Sequence, residues 1–145
     1  MKENLVLIGN GMAGVRTLEE LLKLAPEKYN ITVFGEEPYG NYNRIMLSPV
    51  LANEKTIDEI MLNDEQWYRD NGIALLKGIK AAEIDRGRRE VVAADGTRVP
   101  YDRLILATGS TSFMPKAMSA KAGTPPTMKI RSAPACFIAL MVAGK

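Results

Sequence analysis

Near the start of the chain, Gly9-Asn10-Gly11-Met12-Ala13-Gly14 places glycine at the first, third and sixth of six positions. Such spacing recurs by chance in loops, and it acquires physical meaning only between a strand and a helix. There Gly9 permits a tight turn, Gly11 lets backbone approach a pyrophosphate, and Gly14 lets the helix pack closely on the strand. The free amides at Met12 and Ala13 then face the diphosphate at the positive end of the helix dipole. The chemistry implied is dinucleotide binding, against the alternative of a plain strand–helix turn. Such a site expects a carboxylate for the adenosine ribose about 20 residues further on. That count lands on Gly35-Glu36-Glu37, one residue beyond the usual place, and Glu36 is the candidate; the alternative is a solvated loop carboxylate.

The elements that must position these residues are legible around them. Asn4 to Ile8 is apolar and bounded by glycine, as a buried strand requires. From Met12 to Ala25 the period becomes helical, with Val15, Leu18, Leu21, Leu22 and Ala25 on one face, and Pro26 ends it. Ile31 to Phe34 is a second apolar strand, which makes a βαβ unit with parallel strands. A polar loop with aromatic residues is expected from Gly35 to about Pro49. Thr56 with Glu59, and Asn63 with Gln66, match capping boxes, the second opening a helix over Asp64 to Asn71 with Gly72 as its C-cap. Ile73 to Leu76 reads as the third parallel strand. Ala81 to Tyr101 reads as a small antiparallel meander turning at Asp95-Gly96, and Leu104 to Ala107 as a further strand before Thr108-Gly109-Ser110.

Composition limits the chemistry. With 145 residues the chain is one domain, and 46% hydrophobic with 25% charged residues is ordinary for a folded protein. A net charge of +2, with both signs interspersed, gives no reason to expect nucleic acid. Apolar runs fall well short of the ~20 residues of a membrane span, and Gly9 to Gly11 interrupt the short N-terminal run that a signal peptide would need. A cytoplasmic protein is the expectation. The sequence holds no histidine and one cysteine, Cys136. This excludes Ser-His-Asp and Cys-His catalysis, ordinary zinc sites, an internal disulfide and an iron–sulfur cluster within the chain. Redox chemistry, if present, must come from an organic cofactor.

Beyond Ser112 the character changes. Phe113 to Lys145 carries five basic and no acidic residues, four of the eight prolines and four of the eight methionines. No period persists until the apolar run Cys136 to Ala143. Two domain segments follow: 1–112, and 113–145 as a foreign or poorly ordered extension, the alternative being an ordinary irregular C-terminal segment.

Several segments resemble one family. Leu5-Val-Leu-Ile-Gly-Asn-Gly-Met-Ala-Gly-Val-Arg16, Ile31-Thr-Val-Phe-Gly-Glu-Glu-Pro38, Tyr42-Asn-Arg-Ile-Met-Leu-Ser48, Leu62-Asn-Asp-Glu-Gln-Trp-Tyr68 with Asn71-Gly-Ile73, and Tyr101-Asp-Arg-Leu-Ile-Leu-Ala-Thr-Gly-Ser110 occur in the order seen in large subunits of NAD(P)H-dependent assimilatory nitrite reductases. These are flavoproteins of the pyridine nucleotide-disulfide oxidoreductase type. The resemblance implies an α/β, Rossmann-like FAD/NAD(P)-binding fold, incomplete relative to the family, and FAD bound in extended form. It implies Arg44 beside the pyrophosphate (a solvated loop arginine otherwise), Ser48 in the same set, backbone of Ala81 at the adenine, and Ala107, Thr108 and Gly109 closing over the cofactor. Pro49 departs from the lysine of many relatives, and Phe113 onward lacks the family's usual continuation.

The function implied is the FAD-binding N-terminal portion of an NAD(P)H-dependent oxidoreductase, with electrons passing from NAD(P)H to FAD. Sites for NAD(P)H, sirohaem and the iron–sulfur cluster are expected only on segments absent from this chain, so no catalytic or metal-ligating residue is assigned. The chain alone is expected to bind FAD weakly through its adenosine diphosphate half and to be inactive. The competing readings are a non-enzymatic nucleotide-binding or assembly module, with a homodimer formed through exposed apolar surface, and a rubredoxin- or ferredoxin-reductase-like flavoprotein fragment. Trp67 and Tyr68 are expected to be helix-face core residues.

Overall fold

The computed structural model of the protein describes residues 1–110 and the strand 139–142. The reading of 113–145 as an extension lies, apart from that strand, outside the described residues. Strand β1 (Glu3–Ile8) leads through helix α1 (Met12–Leu24) to β2 (Tyr29–Gly35). The chain continues through β3 (Asn41–Tyr42), α2 (Leu47–Leu51), β4 (Met61–Asn63) and α3 (Glu65–Asp70) to β5 (Ile73–Lys77). Strands β6 (Ala81–Asp85), β7 (Glu90–Ala93) and β8 (Arg98–Pro100) form an antiparallel meander, followed by β9 (Arg103–Leu106) and β10 (Ala139–Val142).

The main sheet has the order β10-β9-β1-β2-β5. β1 pairs in parallel with both β2 and β9, and β2 with β5. β10 runs antiparallel along β9, with Ala139 opposite Leu106 and Val142 opposite Arg103.

Alternation along β1 explains why both sheet faces are covered. Leu5 and Leu7 point into a core with Leu18 of α1, Ile31, Val33, Tyr68 of α3 and Ile105. Val6 and Ile8 point the other way, into a second core with Phe34, Leu104 and the meander residues Val91 and Ala93. Leu7, Val15, Leu18, Val33, Val91 and Leu104 are all at 0% exposure, and full burial of each such side chain is worth about 1.5–3 kcal/mol. The meander thus serves as the lid on one face, and α1 and α3 cover the other.

Helix α1 buries Gly14, Val15 and Leu18 and turns Arg16, Glu20 and Lys23 outward, where Arg16 pairs with Glu20 at 2.7 Å. Its last turn closes with the Ala25 amide on the Leu21 carbonyl at 2.8 Å, just before Pro26. The meander turn forms at Asp95-Gly96 as expected: Gly96 has φ +88° and Asp95 Oδ1 accepts the Thr97 amide at 2.9 Å. Among the described residues no helix is long and apolar enough to cross a membrane.

Two local expectations change. The segment from Gly35 to Pro49 is not all loop: Asn41 and Tyr42 pair with β4, and Asn43 Oδ1 accepts the Ile45 amide at 3.1 Å to start a 3-10 turn over Arg44–Met46. The cap of α3 is Asp64, whose Oδ1 accepts the Trp67 amide at 2.9 Å, and not Asn63. Asn63 is diverted because its side chain is buried, accepting from Asn41 Nδ2 at 3.0 Å and donating to Glu19 Oε1 at 3.2 Å. The Thr56–Glu59 box does form, with the Thr56 amide on Glu59 Oε2 at 2.7 Å, but it opens only a 3-10 turn, Asp58–Ile60.

Candidate functional site

The chain leaves β1 toward β2 on one side, while β9 pairs on the other, so the carboxyl end of β1 is a topological switch point. In open α/β sheets ligands bind in the crevice at such a point. Three segments converge there: the glycine loop after β1, Glu36 after β2, and Ala107-Thr108-Gly109 after β9. Backbone bonds hold them in register, the Gly9 amide on the Phe34 carbonyl at 2.9 Å and the Ala107 amide on the Ile8 carbonyl at 2.8 Å.

The three glycines differ in what demands them. Gly9 has φ +108°, and a Cβ there would lie 2.2 Å from the Ala107 carbonyl oxygen. A Cβ on Gly14 would lie 2.8 Å from the Gly9 carbonyl oxygen and 3.1 Å from the Ala107 Cβ. Both are therefore required by the packing of α1 and β9 around the loop. Gly11 has no such need: its φ of −86° suits any residue, and a Cβ there would meet no protein atom within 4 Å. It occupies the N-cap of α1 with no side-chain cap and no acidic residue in the first turn. Open space thus lies beside Gly11 at the N-terminal end of α1, where orphan N–H groups and the helix dipole favour an anion.

Asn10, between two of these glycines, is tied to the core. Its Oδ1 accepts the Tyr68 hydroxyl at 2.7 Å, and its Nδ2 reaches the Tyr39 carbonyl at 3.5 Å. Burial pushes the Tyr68 phenol up to about 12. Tyr68 and Trp67, which meet edge to face with centroids 5.0 Å apart, do sit on the core side of α3.

Arg44, on the 3-10 turn, is exposed and directs its guanidinium at Glu37 Oε1 at 2.5 Å, stacked 5.6 Å from the Tyr42 ring. The Tyr42 phenol is raised, first by burial and then by the neighbouring Glu37 carboxylate. Glu36 is exposed and pairs with Lys80 at 3.1 Å. Backbone bonds tie the loop after β2 to the segment before β6: Ile79 and Gly78 amides donate to the Gly35 and Glu37 carbonyls at 3.0 and 3.1 Å, and Lys80, the residue before Ala81 at the start of β6, reaches Glu36. Ser48 is exposed on α2, where its carbonyl accepts the Ala52 amide at 3.0 Å. Thr108 and Gly109 are exposed past β9, Gly109 with φ +71°.

The structure therefore brings Gly9, Gly11, Met12, Ala13, Gly14 and Ala107 together, pairs Glu36 with Lys80, the residue before Ala81, and leaves Arg44 on Glu37. Sequence reasoning missed Asn10, Tyr68, Lys80 and the role of Glu37 as the Arg44 partner. Only Glu37 carried a local signal, as the second acid after β2. Among the described residues no group of His, Cys, Asp or Glu could hold a metal. A mostly apolar cavity of about 190 Å³ lies elsewhere, against Leu5, Leu21, Tyr29 and Ile105, and has no contact with the glycine loop.

Residues 3–135 match the family described as pyridine nucleotide-disulphide oxidoreductase. The chain is 49% identical over 114 residues to nitrite reductase [NAD(P)H] of Bacillus subtilis, covering 78% of this chain and 14% of that protein. It is 41% identical over 115 residues to the nitrite reductase (NADH) large subunit of Escherichia coli, covering 79% and 14%. Among solved structures it resembles NADH:rubredoxin oxidoreductase from Clostridium acetobutylicum (TM-score 0.70, 28% identity, 80% of this chain and 30% of that one). It also resembles putidaredoxin reductase in its complex with putidaredoxin (TM-score 0.69, 34% identity, 74% and 26%). The chain spans about a seventh of the length of the nitrite reductases it matches. Its glycine loop at the switch point, its parallel sheet under an antiparallel meander and its match along most of the sequence make this chain a member of the pyridine nucleotide-disulphide oxidoreductase family, with the Rossmann-like FAD/NAD(P)-binding fold.

Proposed function

We propose that this chain is the FAD-binding N-terminal portion of an NAD(P)H-dependent oxidoreductase of the nitrite reductase large-subunit type. The observation that carries the reading is Gly11. It is glycine where neither backbone conformation nor packing asks for glycine, and the missing Cβ faces open space before the amides of α1. A diphosphate brought against those amides supplies the reason. The other residues fit the rest of the cofactor. Glu36 offers a carboxylate to the ribose hydroxyls, Ala81 its backbone to the adenine, and Arg44 a planar guanidinium to phosphate oxygens. Ala107 to Gly109 flank the loop from β9. Bound FAD supplies the hydride acceptor, while the chain's own residues bind and orient it.

The test is the visible absorption spectrum of the 145-residue chain after incubation with FAD and desalting. Retained flavin bands are expected, with ADP competing for the site. Protein that stays colourless and takes up NADH in place of FAD contradicts the assignment.

A further inference from the structure

We propose that the hydroxyl of Tyr68 is the positioning group of the diphosphate site, clamping the glycine loop to a buried point on α3. This assignment rests on the reading of the glycine loop as a diphosphate site. Tyr68 is 1% exposed on α3, 58 residues from Asn10, yet its hydroxyl donates to Asn10 Oδ1 at 2.7 Å. Its partner thus belongs to the glycine loop and not to α3.

A phenylalanine would fill the same core volume, so hydrophobic burial accounts for the ring but not for the hydroxyl. Asn10 lies between Gly9 and Gly11, whose freedom of rotation leaves the loop with many conformations. Fixing the Asn10 side chain fixes the peptide planes on either side of it and with them the direction of the Gly11 amide. Burial keeps the phenol protonated, so it remains a donor to Asn10 across the working pH range.

The experiment compares Y68F with the wild-type 145-residue chain, titrating adenosine and ADP separately by ligand-observed NMR, with urea unfolding of each protein. The assignment predicts that Y68F folds, keeps adenosine affinity within about twofold, and loses about tenfold in ADP affinity, the scale of one net hydrogen bond. V91A, a core truncation in the meander away from the loop, controls for lost stability and should leave the ADP-to-adenosine ratio unchanged. Equal losses for both ligands in Y68F, or none, overturn the assignment. Wild-type protein that takes up adenosine but gains nothing from the diphosphate overturns the diphosphate reading itself, before the variant is considered.

Discussion

The backbone of Ala107 lies so close to Gly9 that a Cβ on the glycine would stand 2.2 Å from the Ala107 carbonyl oxygen. Two sequence motifs separated by almost the whole described chain, the glycine loop and Ala-Thr-Gly, are therefore one packing unit. G9A should be the most damaging of the glycine substitutions, because it combines that backbone clash with a φ of +108°. A loss of about 3 kcal/mol or more in urea unfolding is expected, beyond the 1–3 kcal/mol typical of a strained backbone position. G14A, whose Cβ would meet the Gly9 carbonyl at 2.8 Å, should cost about 1–3 kcal/mol.

Arg44 and Glu37 pair with each other at 2.5 Å on the protein surface. Both side chains are half exposed, so the pair contributes little to stability, within about 1 kcal/mol. Its consequence lies in binding, because a phosphate and the Glu37 carboxylate compete for one guanidinium. E37Q should raise ADP affinity a few-fold with little change in unfolding free energy, and R44M should lower it. Isothermal titration at low and moderate salt reads both, and an E37Q protein with weaker ADP binding would remove Glu37 as a competitor.

Tyr68 gives a pH signature. Its folded pKa lies above the ordinary phenol value of 10.0, at about 12, because burial disfavours the phenolate. The fold therefore prefers the neutral phenol, and that contribution is complete below pH 10 and disappears as pH rises from 10 to 12. Every other ionisable group is shared by the wild type and Y68F. The difference in unfolding free energy between the two should stay flat to pH 10 and then shift against the wild type by roughly 2 kcal/mol by pH 12, at about 1.4 kcal/mol per pKa unit. A pH-independent difference would place the hydroxyl in contact with water.

What the sequence made legible was local. The continuous apolar run of β1, the helical period in α1 and the Asp95-Gly96 turn depend on neighbours a few residues apart, and each formed where its chemistry placed it. The glycine loop was legible for the same reason. Asn63 misled because a cap is judged by residue type, while its burial beside Asn41 was set by a strand pair the sequence does not announce. Asn10 and Tyr68 were hidden more deeply, since a hydrogen bond across 58 residues leaves no spacing to read. Arg44 stood out by type, but its engagement with Glu37 depends on how the loop after β2 folds back through the 3-10 turn.

The central claim is that the space in front of Gly11 belongs to a diphosphate, and G11A tests it most directly. A Cβ there meets no protein atom within 4 Å and the backbone needs no positive φ. Unfolding free energy should stay within about 1 kcal/mol of the wild type, with a reduced unfolded-state entropy offset by a poorer N-cap. FAD and ADP affinity, measured by titration of the same preparation, should fall at least about tenfold, because the methyl group stands where the phosphate would meet the amides. A G11A chain that folds like the wild type and binds FAD equally well would contradict the account.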